Sequence, residues 1–187
     1  MKKPALLSFL VFMVACSLSL SQTKNDSTDS KVDFISKLEF INFTEINVGL
    51  GLVIKDVDYA LQVVNLSSII GIGLARNLTG GIGIGYSLYN ADVKPIPLFI
   101  DFRYFTNIGK ITIFAFGDCG IPLSTSKTVN LPKLFANPGI GMVGYIGDRL
   151  SINFGTGLLT QFWFDSHHDS FIIIKSGMIY SFKNKKD

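Results

Sequence analysis

An all-β chain, closed as an antiparallel up-and-down transmembrane β-barrel of about eight strands behind a cleaved N-terminal signal segment, is the fold class predicted here. Three observations predict it. From the end of the polar stretch Gln22 to Ser30 as far as Phe182 the dominant hydrophobic signal has a period of two rather than 3.6. The face opposite the aliphatic residues is mostly Gly, Ser and Asn with rare charges, which suits a narrow enclosed interior better than open water. The mean hydropathy, +0.39, is high for a soluble chain. Yet no stretch after residue 21 approaches the roughly 20 apolar residues of a membrane helix. A closed barrel is the other structure a bilayer permits.

The elements follow in order. Residues 1–21 read as a signal peptide: Lys2 and Lys3 start it, Ala5 to Ala15 is apolar but for one Ser, and Ser17, Ser19 and Ser21 offer small residues for cleavage. Met13-Val14-Ala15-Cys16 partly matches a lipoprotein acylation site, with Met13 where Leu is usual. Either cut leaves Cys119 as the only thiol of the fold, expected to be buried, so no intramolecular disulfide is available. Residues 22–37 form a polar lead-in, 38–182 the barrel, and 183–187 a polar tail. The net charge of +3 falls by two with Lys2 and Lys3, to +1, which is no footprint for nucleic acid.

Within the barrel, Ile46, Val48, Leu50, Leu52 and Ile54 share one parity against Glu45, Asn47, Gly49 and Gly51. The same alternation runs through Val64 to Leu74, Gly81 to Leu88, Ile96 to Phe105, Leu134 to Tyr145, Leu150 to Phe164 and Ser170 to Phe182. Ile111 to Ile121 is strand-like with open parity, because Phe114 and Phe116 share a face with Asp118 while Ile113, Ala115 and Cys119 occupy the other. The links alternate in length. Tight turns fall at Arg76 to Thr79, Thr106 to Lys110 and Gly147 to Arg149, each with Asn, Gly or Asp. The longer Asn90 to Pro95, Pro122 to Lys133 and Asp165 to Asp169 fall between them, the asymmetry of short periplasmic and long external connections. Tyr86, Tyr89, Tyr104, Trp163 and Tyr180 sit near strand ends, where interfacial girdles belong.

The last strand carries a resemblance. Lys175-Ser176-Gly177-Met178-Ile179-Tyr180-Ser181-Phe182 resembles the C-terminal assembly signal of outer-membrane proteins, a polar residue, a Gly two later and two alternating aromatics, although here Asn184-Lys185-Lys186-Asp187 follows it. With Pro97 to Tyr104 and Asn137 to Gly141, the chain is similar to the small OmpA/OmpX-type outer-membrane barrels of Gram-negative bacteria. That resemblance implies a porin-like location in the cell outer membrane, contact with its lipid, and recognition by the barrel-assembly machinery through Lys175, Gly177, Tyr180 and Phe182. Such a family is functionally mixed, so it speaks to fold and place more than to activity.

Glu45, Asp101, Arg103 and Lys175 share the face assigned to the lumen, where unpaired charges would be costly. They are expected to form a structural ion network plugging the barrel, with a gated ion path as the functional counterpart. Asp165-Ser166-His167-His168-Asp169-Ser170 holds the residue types of a hydrolytic triad, but neighbours in one loop rarely converge, and two adjacent His without a third ligand make a weak metal site. Gly139-Ile140-Gly141-Met142-Val143-Gly144 spells a dinucleotide fingerprint, yet a strand runs through it with no helix to follow. No catalytic residue, cofactor or metal is expected. The reading is a non-enzymatic barrel with a structural or surface-interaction role and an unidentified external partner. A small-solute or ion channel and a secreted lipocalin-like binding barrel are the alternatives, the last requiring the aliphatic rows to face inward.

Overall fold

The structure, a computed structural model, describes residues 39–53, 62–89, 94–109, 111–123, 131–163 and 168–182. The signal segment, the lead-in, the tail, Cys16, Ile54, residues 90–93 and 124–130, and Asp165 to His167 lie outside them. Eight strands follow in chain order: β1 Phe40–Val53, β2 Gln62–Ala75, β3 Leu78–Tyr89, β4 Ile96–Ile108, β5 Ile111–Leu123, β6 Leu134–Tyr145, β7 Leu150–Phe162 and β8 His168–Ser181. Each pairs antiparallel with the next, and β1 pairs with β8 to close the ring. Closure leaves no open edge, so every strand's backbone groups have a neighbour to bond. Strands of 12–14 residues, at about 3.3 Å per residue and a tilt of about 40°, rise roughly 30–35 Å, the depth of a bilayer core.

The period-two pattern fixes two faces. Ile46, Ile70, Ile82, Ile140 and Ile174, from five different strands, are 49%, 66%, 66%, 66% and 64% exposed on the outside. Glu45, Ser67, Asp101, Asn153 and Lys175, of the other parity, are buried in the lumen. The registers agree around the ring: Glu45 faces Ser67 on β2 and Gly177 on β8, and Asp101 faces Asp118 on β5. The ligand-binding alternative needs the aliphatic rows inside, and they point outward.

Three details differ from the sequence reading. β1 starts at Phe40, five residues before Glu45, because Ile41 and Phe43 point inward there while Asn42 and Thr44 point out, which cancels the alternation. Asn42 Nδ2 donates to Ser68 Oγ at 3.2 Å and Thr44 Oγ1 to Asn42 Oδ1 at 3.0 Å, so this outward polar strip bonds to itself. β5 turns Phe114, Phe116 and Asp118 inward, so Cys119 lies on the outer face, half-buried rather than buried. His168 and Asp169 belong to β8 rather than to the connection before it; Asp169 is buried and accepts from Trp163 Nε1 at 3.0 Å.

The short connections share one end with both strand termini. Asn77 (φ 62°) and Gly109 (φ 61°) take the left-handed backbone these turns need, a region Asn and Gly tolerate. At the third, Ile146 and Gly147 both donate to Leu150 O at 3.1 Å. The strand ends at Val53 and Gln62, Tyr89 and Ile96, Leu123 and Leu134, and Phe162 and His168 share the opposite end.

Candidate functional site: the lumen

Alternation sends every second side chain of eight strands into one narrow space, so its chemistry depends on which residues meet at each height. At the waist, Arg103 on β4 is fully buried. Its Nη1 and Nη2 donate to Glu45 Oε1 and Oε2 on β1 at 2.6 and 3.0 Å, and its Nε donates to both carboxylate oxygens of Asp101 at 3.0 Å. The planar fork of guanidinium fits two carboxylates at once, which an ammonium cannot do. Lys175 on β8 lies 3.2 Å from Glu45 Oε2 and 3.1 Å from Asp118 Oδ2. Asn153 Nδ2 on β7 donates to Glu45 Oε1 at 2.5 Å, and Asn137 Nδ2 on β6 to Asp118 Oδ2 at 2.9 Å. The structure thus brings Glu45, Asp101, Arg103 and Lys175 together, tying β1, β4 and β8 across the barrel. Asp118, Asn137 and Asn153 join them and were not among the network residues expected from the sequence. The signal for Asp118 was available: counting back along the β4–β5 hairpin from the turn at Gly109 sets it directly opposite Asp101.

Aromatic rings surround the charges. Arg103 Cζ lies 4.1 Å from the centroid of Phe43 and 5.7 Å from that of Phe114, while Lys175 Nζ lies 3.8 Å from that of Phe116, distances at which a desolvated cation is attracted by the ring face. Toward the short-turn end, Ile41, Phe43, Ile69, Phe105, Phe114 and Ile179 pack into a buried apolar cluster. The sequence reading placed glycine, serine and asparagine in the lumen; phenylalanine shares it with them. The two fit because three of the rings are set opposite glycines on neighbouring strands: Phe99 opposite Gly83 and Gly120, Phe114 opposite Gly141, Phe116 opposite Gly139. A Cβ at Gly83, Gly139 or Gly141 would overlap its facing ring. Gly177 clears space in the same way for the network, since a Cβ there would come within 2.8 Å of Glu45 Cγ and 2.9 Å of Asn153 Oδ1.

A closed ring with aliphatic rows facing outward all round, and its charges paired inside, has the polarity of a protein dissolved in hydrocarbon; soluble monomers rarely expose apolar patches beyond a few hundred Å². The chain is a membrane barrel. In it, Lys175 and Gly177 of the C-terminal motif point into the lumen, whereas Tyr180 and Phe182 point outward, their rings in edge contact at 4.9 Å.

No protein-family model and no curated protein matches the chain. Among solved structures the membrane barrel is similar to the N-terminal β-barrel domain of Pseudomonas aeruginosa OprF, at 14% identity, over 77% of this chain and 98% of that one, with a TM-score of 0.47. A de novo designed transmembrane β-barrel is similar at 11% identity, over 78% and 97%, with a TM-score of 0.45.

Proposed function

We propose that this chain is an integral, non-enzymatic protein of a Gram-negative outer membrane, with a closed lumen, acting in membrane integrity or in presenting its long-connection end to external partners. One observation carries this reading: the outside of the ring is aliphatic while the inside is filled, by the ion network at the waist and the phenylalanine cluster below it. A pore needs a continuous wet path, and side chains of both kinds stand across it. The signal segment and the resemblance of β8 to an assembly signal support export and insertion by the barrel-assembly machinery, with Lys175, Gly177, Tyr180 and Phe182 as the elements read.

Expression in a Gram-negative host, followed by membrane fractionation, detergent extraction and gels of unheated samples, tests the location. The expected result is recovery with outer membranes, release only by detergent, and altered migration when unheated. Recovery in the aqueous fraction would overturn it. Planar-bilayer recording tests the closed lumen, and steady unit conductance of the unaltered protein would favour the channel alternative instead.

A further inference from the structure

Between the ion network and the long-connection end the lumen holds a cavity of ≈ 40 Å³ whose walls include Asn47, Asn65, Asp118, Asn137 and Gln161. Each of these five residues carries a buried oxygen with no hydrogen-bond partner among the described residues: Oδ1 of Asn47, Asn65, Asp118 and Asn137, and Oε1 of Gln161. Four of the residues are more than nine-tenths buried. The amide orientation is set at Asn137, whose Nδ2 donates to the Asp118 carboxylate Oδ2 at 2.9 Å, while Gln161 Nε2 lies 2.5 Å from Tyr89 Oη, a hydroxyl that can accept or donate. Asp118 Oδ1 and Asn137 Oδ1 are thereby fixed as acceptors without a partner among the described residues, and the amide oxygens of Asn47, Asn65 and Gln161 are placed beside them in the same condition. Buried carbonyl oxygens left in this way are costly, and several on one small cavity point to a species that offers them positive charge or donors.

Charge and size narrow that species. The adjoining network sets three carboxyl groups, Glu45, Asp101 and Asp118, against two cations, Arg103 and Lys175, and Asp101 and Asp118 stand against each other, so a cation or a proton shared between them must offset one negative charge. Lys175 bonds to Asp118 Oδ2, leaving Oδ1 as the unpaired oxygen of that carboxylate. A water-sized body occupies about 10–15 Å³ on the same measure, so the cavity takes about three of them and no organic cation. Hard oxygen donors without sulfur or imidazole suit alkali and alkaline-earth ions, and a single uncompensated charge matches the former.

We propose that this cavity binds one partly hydrated monovalent alkali cation through Asp118 Oδ1 and the amide oxygens of Asn47, Asn137 and Gln161. The site ties the outer half of the lumen together, and it does not depend on which membrane the barrel occupies. The test uses the full chain folded in detergent micelles, with urea unfolding measured in NaCl, KCl and choline chloride at equal ionic strength, and crystals grown in RbCl for anomalous scattering. Above the dissociation constant, each tenfold rise in Na⁺ or K⁺ should raise the folded-to-unfolded ratio about tenfold, while choline leaves it flat. Rubidium should appear beside Asp118. Asn47→Leu, which removes one oxygen and fills the cavity, should abolish the alkali dependence while keeping the unheated gel shift. Gln161→Glu, which adds a carboxylate, should lower the cation concentration at which the dependence begins. Equal stability in the three salts, absence of rubidium from the cavity, or a shift produced by CaCl₂ alone would each overturn the assignment.

Discussion

Replacing Arg103 with Ala removes a side chain that donates to two carboxylates and covers a phenylalanine ring. In the native lumen Glu45 is 1% exposed and Asp101 1% exposed, so neither can turn to solvent when its partner goes. Lys175, 3.2 Å from Glu45 Oε2, still offsets one charge there, but Asp101 loses both of its bonds from Nε. Breaking a buried ion pair by deleting one partner costs about 3–5 kcal/mol. Loss of the ring contact with Phe43 at 4.1 Å places the expected value in the upper half of that range. Arg103→Lys should recover only part, because one ammonium cannot reach Glu45 and Asp101 with the same fork. Urea unfolding in phospholipid vesicles, followed by the fluorescence of Trp163, the single tryptophan, measures the loss. A companion planar-bilayer recording of Arg103→Ala should stay silent, since the cluster of Phe43, Phe105 and Phe114 still closes the short-turn end. Destabilisation below about 1 kcal/mol would refute the view that this arginine holds the waist together.

Other substitutions separate the faces. Gly139→Val should cost about 1–3 kcal/mol by driving a branched side chain into the Phe116 ring and the Thr156 carbonyl, seen as a lower urea midpoint. Ile174→Arg, an outward residue next to the waist, should cost about 2–4 kcal/mol in lipid vesicles, whereas Ile108→Arg at the short-turn end should cost about 0–1 kcal/mol; equal costs would contradict the membrane placement. Tyr180→Ala and Phe182→Ala each remove a ring contact of about 0.5–1.5 kcal/mol. Their effect on the amount of folded barrel in cells should exceed what that loss explains in refolding, as expected if the assembly machinery reads these rings.

Strand number, connectivity and outward parity were legible in the sequence because lipid-facing rows are long, uniform and unbroken: Ile46 to Leu52 and Ile140 to Met142 leave no competing pattern. The lumen was legible only where it is polar. Glu45, Asp101, Arg103 and Lys175 are conspicuous charges in apolar strands, and shared parity is enough to group them. Phe99 went unplaced and Phe116 was left with open parity for a physical reason: an aromatic in a narrow barrel is admitted by a glycine on the neighbouring strand, a relation between residues far apart in sequence that periodicity within one strand cannot express. The same cause hid Asp118, whose parity was obscured by Phe114 and Phe116 on its own face until register across the hairpin is considered. Asn137 and Asn153 look like filler beside glycine and gain meaning only from the carboxylates they approach.

Glu45 receives its bonds from residues on the fourth, seventh and eighth strands, so its full set of partners exists only once the chain's beginning and end have met. A two-residue slip of β8 along β1 would carry Lys175 about 7 Å away while leaving the alternation of faces intact. Greasy and polar rows alone would accept that mistake; a stranded carboxylate would not. The cluster at the waist therefore acts as a lock keyed to one alignment, rejecting near-miss closures that hydrophobic patterning is blind to.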